Sequence, residues 1–157
     1  MTYSKINKLH IISVVAVIRN LAGKYLVLKR HENEIAYPCM YTFPGGKIED
    51  NDTVEETLKK EAKEEAGLTL RPGKILLKDK SFVRPDGQTV KIFSYLCEAE
   101  DIDNIVISED FTDYKWITTN DLNDIPHVGI EDELIQADKI YQQNIPLKVI
   151  QTKSIKA

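Results

Sequence analysis

Cysteine is nearly absent from this chain. Cys39 and Cys97 are alone among 157 residues, too few for a disulfide framework. Both sit among apolar neighbours in the sequence, which fits a reduced, cytoplasmic setting. No apolar run is long enough to span a bilayer, and the polar start Met1-Thr2-Tyr3-Ser4-Lys5 lacks a secretory-signal pattern. Positive charge is not in excess either. A net charge of −4 argues against a stable nucleic-acid partner, because it would repel a phosphate backbone. A small anion whose charge is met by bound metal stays allowed. His10, His31 and His127 show no ligand spacing. Repeats, low-complexity tracts and linkers are missing, so residues 1–157 read as one domain, long enough to bury a core.

What is present reads as strands punctuated by two helices. Ile11 to Ile18 is a continuous β-branched run, IISVVAVI, expected as a strand buried on both faces. Asn20 to Gly23 supplies a turn, and Tyr25 to Lys29 a returning strand. His31 to Met40 has no period and reads as a loop. Tyr41 to Phe43 is a short strand stopping at Pro44, after which Gly45 and Gly46 are expected to adopt backbone angles that other residues resist. Lys74 to Val83 and Gln88 to Ala99 form a hairpin across Arg84-Pro85-Asp86-Gly87. Tyr114 to Ile117 is a further strand, Thr119 to Leu122 a single helical turn, and Glu131 to Gln142 an amphipathic helix. The tail from Lys148 is expected to fray. This mixture predicts an α+β fold, an α/β/α sandwich.

The most informative segment is the helix between Thr53 and Gly67. Thr53 with Glu56 three residues on is a capping box, and Gly67 is a natural stop. Val54, Leu58 and Ala62 recur every four residues and make its buried stripe. Glu61, Glu64 and Glu65 share one face beside that stripe, since positions i, i+3 and i+4 align. Three carboxylates so placed repel one another unless a cation sits between them. Oxygen donors of this kind suit Mg²⁺ or Mn²⁺ rather than zinc.

The span Gly46 to Leu68 resembles the Nudix box, GX5EX7REUXEEXGU with U aliphatic. Gly46, Glu61, Ala62, Glu64, Glu65, Gly67 and Leu68 stand on its fixed positions. Asp52 stands where the family has Glu, and Lys60 where it has Arg. The apolar strand pair before the box, the Phe43-Pro44-Gly45-Gly46 entry and Trp116-Ile117 agree with it. The resemblance implies a Nudix fold with a mixed sheet and a loop–helix–loop, acting on a pyrophosphate bond in a nucleoside diphosphate linked to another group. It implies Glu61 and Glu65 as metal ligands, Glu64 as ligand or as base for the attacking water, and the Gly45 carbonyl completing the set. Asp52 and Lys60 would form the pair that orients the box, with a shorter carboxylate and no planar fork.

Residues outside the box carry two readings each. Glu49 orients substrate or metal, or faces water. Arg30 contacts phosphate, or is a snorkelling strand-end charge. Tyr37, Tyr41 and Phe82 stack on a base, or belong to core. Glu98, Glu109 and Asp110 are candidates for a base supplied from a distant loop, and spacing does not choose among them. Glu55 and Glu56 read as helix-start acids, and Cys97 as inert core. The expected substrate is a nucleoside triphosphate, normal or oxidised, giving monophosphate and pyrophosphate. ADP-ribose, a dinucleotide polyphosphate or a nucleotide sugar is the alternative, as is a Nudix-like module that binds a nucleotide without cleaving it. The sequence is silent on oligomeric state; relatives of the box are often homodimers. No membrane partner is expected.

Overall fold

Each residue of the first strand alternates between two cores, and this organises the molecule. The computed structural model describes residues 9–143; the expectations for residues 1–5 and for the tail from Lys148 lie outside them. Strand β1 (Ile11–Ile18) sends Val14, Ala16 and Ile18 into one cluster with Leu58, Ala62 and Ala66. Val15 and Val17 go to the other, with Leu134 and Ala137. Strand β2 (Tyr25–Arg30) divides likewise, Leu26 and Leu28 to the first cluster and Tyr25 and Val27 to the second. Burial on both faces is why these runs lack polar alternation.

The remaining elements are β3 (Tyr41–Thr42), β4 (Gly45–Lys47), α1 (Val54–Ala66), β5 (Thr69–Leu70), β6 (Ile75–Val83), β7 (Thr89–Cys97), β8 (Ala99–Glu100), β9 (Phe111–Ile117), a 3₁₀ turn at Thr119–Asp124 and α2 (Glu131–Gln143). Strands order β4-β1-β7-β6 in one sheet, β3-β2-β9 in a second and β5-β8 in a third. The β1–β7 pair is parallel and the β1–β4 and β6–β7 pairs are antiparallel. Helix α1 packs over the first cluster and α2 over the second. The α+β sandwich expected from the sequence is therefore the architecture observed. Among the described residues no helix is long and apolar enough to cross a membrane.

Four expectations need correction. The Gly45–Gly46 segment is a strand, and neither glycine lies at positive φ; the need there is for close approach, not unusual angles. A Cβ on Gly45 would fall 2.3 Å from the Val14 carbonyl oxygen. The expected strand from Gln88 to Ala99 breaks at Glu98, and Ala99–Glu100 pairs instead with Thr69–Leu70, short segments that carry no period of their own. The last strand begins at Phe111 rather than Tyr114. Cys39 is exposed, because the loop around it, with Tyr37 and Cys39 both at positive φ, turns away from the core. Cys97 is 3 % exposed, and burial pushes its thiol up to about 12, which keeps it unreactive.

Candidate active site

Helix α1 is fixed at both ends by its own sequence. The Thr53 hydroxyl accepts the Glu56 N–H at 3.1 Å, and the Glu56 carboxylate accepts the Thr53 N–H at 3.0 Å. Gly67 closes the helix in the left-handed region at φ 71°, its N–H donating to the Lys63 carbonyl at 3.0 Å. Thr57, Leu58, Ala62 and Ala66 are buried, which presses the Glu61–Glu65 side against β4.

There the double glycine receives the carboxylates. The Gly45 N–H donates to Glu65 Oε2 at 3.0 Å. A Cβ on Gly46 would lie 2.5 Å from the Glu61 carboxyl carbon, so Glu61 occupies the space that only glycine leaves open. Gly45 thus meets the site through its N–H.

The electrostatics are those of acids crowded together. Burial pushes the Glu65 carboxyl up to about 8, against the lowering effect of the Gly45 N–H, and the neighbouring charges of Glu61 and Asp110 push the same way. Glu61 is also raised, first by burial and then by Glu64, with Lys60 opposing. Glu49 adds a smaller push on Glu61. Glu61, Glu64, Glu65, Glu49 and Asp110 therefore share one negative field with Lys60 as the counter-charge. Among the described residues no three acidic, histidine or cysteine side chains are drawn together tightly enough to enclose an ion; Glu64 stands exposed beside the other two.

The structure also separates two of the distant acids. Asp110 lies beside Glu65. Its loop is tied to the end of α1 by the Ser108 N–H on the Glu65 carbonyl at 3.1 Å and the Val106 N–H on the Ala66 carbonyl at 3.0 Å. Glu98 faces elsewhere, accepting the Tyr141 hydroxyl at 3.0 Å. Only the fold could separate these two, because the hydrogen bonds that place Asp110 join residues distant in the chain, Ser108 with Glu65 and Val106 with Ala66.

Three residues assigned from the sequence are placed differently. Tyr41 is 4 % exposed and its hydroxyl donates to Asp113 at 2.6 Å, so its ring is core and has no open face for a base. Arg30 is engaged in its own loop, with Nε donating to the Ala36 carbonyl at 2.9 Å and Nη2 paired with Glu34 at 3.1 Å. Lys60 makes no ion pair with Asp52 among the described residues; its charge acts on Glu61, while the Asp52 N–H donates to the Glu49 carbonyl at 3.0 Å. An aspartate arm one methylene shorter than glutamate agrees with that. Tyr37 and Phe82 are exposed, and Phe82 lies on β6, at the opposite edge of its sheet from β4.

Comparison with known proteins agrees with this geometry. Residues 9–137 match the NUDIX domain family. The nucleoside triphosphatase NudI of Klebsiella pneumoniae (strain 342) is 32 % identical over 118 residues, covering 69 % of this chain and 82 % of that protein. Among solved structures, a MutT NUDIX hydrolase from Burkholderia pseudomallei superposes with a TM-score of 0.70 at 22 % identity, over 82 % of this chain and 98 % of that one. The MutT protein of Methanosarcina mazei Go1 does so with a TM-score of 0.68 at 23 % identity, over 90 % and 99 %. With its glycine step, capped helix and glutamate face in family register, the chain belongs to the Nudix family and is a Nudix hydrolase.

Proposed function

We propose that this enzyme hydrolyses a nucleoside triphosphate to the monophosphate and pyrophosphate, with a divalent cation, Mg²⁺ or Mn²⁺, held by Glu61 and Glu65 and approached by Glu64. The observation that carries this reading is the convergence on one glycine step: Glu65 on the Gly45 N–H, and Glu61 in the space over Gly46. Oxygen donors crowded until their carboxyls rise above the ordinary range fit a hard cation. When bound, such a cation neutralises pyrophosphate oxygens and acidifies water.

The chain's own groups do the rest. The Gly45 N–H holds the Glu65 carboxylate in one orientation. Gly46 lets Glu61 lie against the backbone of β4. Glu64, exposed on the same helix face, stands where it accepts a proton from an attacking water, and Asp110 flanks that water from the opposite loop. Glu49 borders the same field and orients the phosphates. The triphosphate assignment draws on the likeness to a nucleoside triphosphatase. An exposed free thiol at Cys39 accords with a reducing, cytoplasmic location.

The test is hydrolysis with and without Mg²⁺ over nucleoside triphosphates, their oxidised forms, ADP-ribose and dinucleotide polyphosphates, with products identified. Release of pyrophosphate from triphosphates, lost in Glu64→Gln and Glu65→Gln, is expected. Turnover confined to another class would replace the substrate assignment. Nucleotide binding without metal-dependent turnover would replace catalysis by a binding role.

A further inference from the structure

The glutamate face and the loop from His31 to Met40 meet at Arg30, the last residue of β2. Alternate residues of a strand face opposite sides, and Leu26 and Leu28 go to the cluster under α1. Arg30 follows in the same phase, opposite Phe111, which packs on that cluster. The register shift at this point places its extra residue, Thr112, on β9, so β2 keeps its alternation. The Arg30 side chain therefore leaves the sheet on the α1 side. The neighbouring His31 N–H donates to the Asp110 carbonyl at 3.2 Å, and Asp110 lies beside Glu65. A guanidinium thus borders a site whose near charges are mostly acidic.

That guanidinium is already engaged. Its Nε donates to the Ala36 carbonyl at 2.9 Å and its Nη2 to Glu34 at 3.1 Å. An arginine grips a phosphate with two nitrogens at once, either Nε with Nη2 or Nη1 with Nη2. Both edges need Nη2, so the Glu34 carboxylate denies a bidentate grip to any other anion. Little else holds the loop around this contact. Ile35 and Tyr37 are exposed, and Tyr37 and Cys39 lie at positive φ, where residues other than glycine are uncommon. The ion pair is itself partly open to water, 26 % at the Arg30 side chain and 35 % at that of Glu34. Such a pair is weak enough to exchange.

We propose that Glu34 is an internal competitor for substrate, standing in for a phosphate on Arg30 and yielding Nη2 when a nucleotide polyphosphate binds. The inference rests on the reading of the glutamate face as a nucleotide site given above. Glu34 lowers apparent affinity, because only molecules with Arg30 released bind the phosphate at full strength. An ion pair that only supports the loop predicts the opposite. Its removal would loosen Arg30 and weaken binding. The sign of the effect separates the two roles.

The test is calorimetric titration of the full chain with the α,β-imido analogues of ATP and UTP in Mg²⁺, beside hydrolysis of the natural nucleotides. Glu34→Gln keeps an acceptor for Nη2 but loses the charge. It is expected to tighten binding about three- to five-fold, the factor that a partly exposed ion pair withholds. Glu32→Gln removes an equal charge from an exposed position in the same loop. Solvent screening should hold its effect below about 1.5-fold. Arg30→Gln is expected to weaken binding about ten-fold, and in that background Glu34→Gln should have no effect. Unchanged or weaker binding in Glu34→Gln overturns the proposal, as does an equal gain in Glu32→Gln or a gain that persists without Arg30. Hydrolysis is scored separately. Absent turnover with the affinity gain intact would overturn the proposed reaction and leave this inference standing, whereas no nucleotide binding at all overturns both.

Discussion

Two acidic clusters in this molecule are solved in opposite ways. On α2, Glu133 is fully buried, yet its Oε1 is paired with Lys80 at 2.5 Å and accepts the Ser94 hydroxyl at 3.3 Å, while Lys78 pairs with the neighbouring Asp132. On α1, Glu61 and Glu65 face each other and Asp110 with only Lys60 opposing, and burial first, then these neighbouring charges, raises their carboxyls. The first cluster carries its own counter-charges and joins α2 to β6. The second, on the proposed reading, leaves its charge for a cation from outside the chain to neutralise. Acid density alone does not mark a site; a shortage of internal counter-charge does.

Substitutions break this contrast most sharply where the charge is unmet. Glu65→Gln and Glu61→Gln are each expected to lower kcat by more than about 100-fold, the upper end for groups that only support a metal site, as steady-state hydrolysis would show. The same changes should raise the urea midpoint of the metal-free protein, because they remove a buried carboxyl that must either ionise among other acids or keep a proton the unfolded chain has lost. Lys80→Met should do the reverse. It strands Glu133 without its cation, at a cost of about 3 kcal/mol of stability, with turnover per folded molecule preserved. If both clusters answered alike, the contrast would be false.

Gly46→Ala sharpens the geometric part. Its Cβ would meet the end of a flexible side chain, Glu61, so the fold should survive while Glu61 is displaced, with an expected activity loss of about ten-fold. Gly45→Ala meets backbone instead and should lower the melting temperature, as overpacking by about 1–3 kcal/mol does. The smallest effect is expected from Thr53→Ala, which removes half of the capping box and costs about 1 kcal/mol in denaturant unfolding, with kcat unaffected.

How much of this was legible depends on the distance over which each feature is made. The caps of α1 and the register of Glu61, Glu64 and Glu65 are local, and the sequence states them outright. The glycine step is half legible. Its composition announces a special backbone, but its reason, the proximity of Val14 and Glu61, exists only once β4 is paired with β1. Asp110 could not be chosen over Glu98, because the loop bonds to α1 that separate them are tertiary. Nothing in the sequence of the second helix marks Glu133 for burial. Its burial is set by Lys80 and Ser94, on strands distant in the chain. Tyr41 and Arg30 each carry two readings in the sequence for the same reason, since the partners that occupy them, Asp113 and the 34–36 loop, are assigned by folding.

A pH-resolved binding titration asks whether the α1 face takes up a cation, as proposed. With the folded Glu65 carboxyl raised to about 8 and the unfolded one near 4.5, the metal-free fold holds a proton that the unfolded chain has lost. Its stability should therefore fall as pH rises from about 4.5 through about 8. Metal binding must displace that proton, so affinity should rise over the same window. Calorimetric titration with Mn²⁺ at pH 6 and pH 8, in buffers of differing ionisation enthalpy, is expected to show proton release at pH 6, tighter binding at pH 8, and loss of both in Glu65→Gln. Binding indifferent to pH and unchanged in Glu65→Gln would contradict the account.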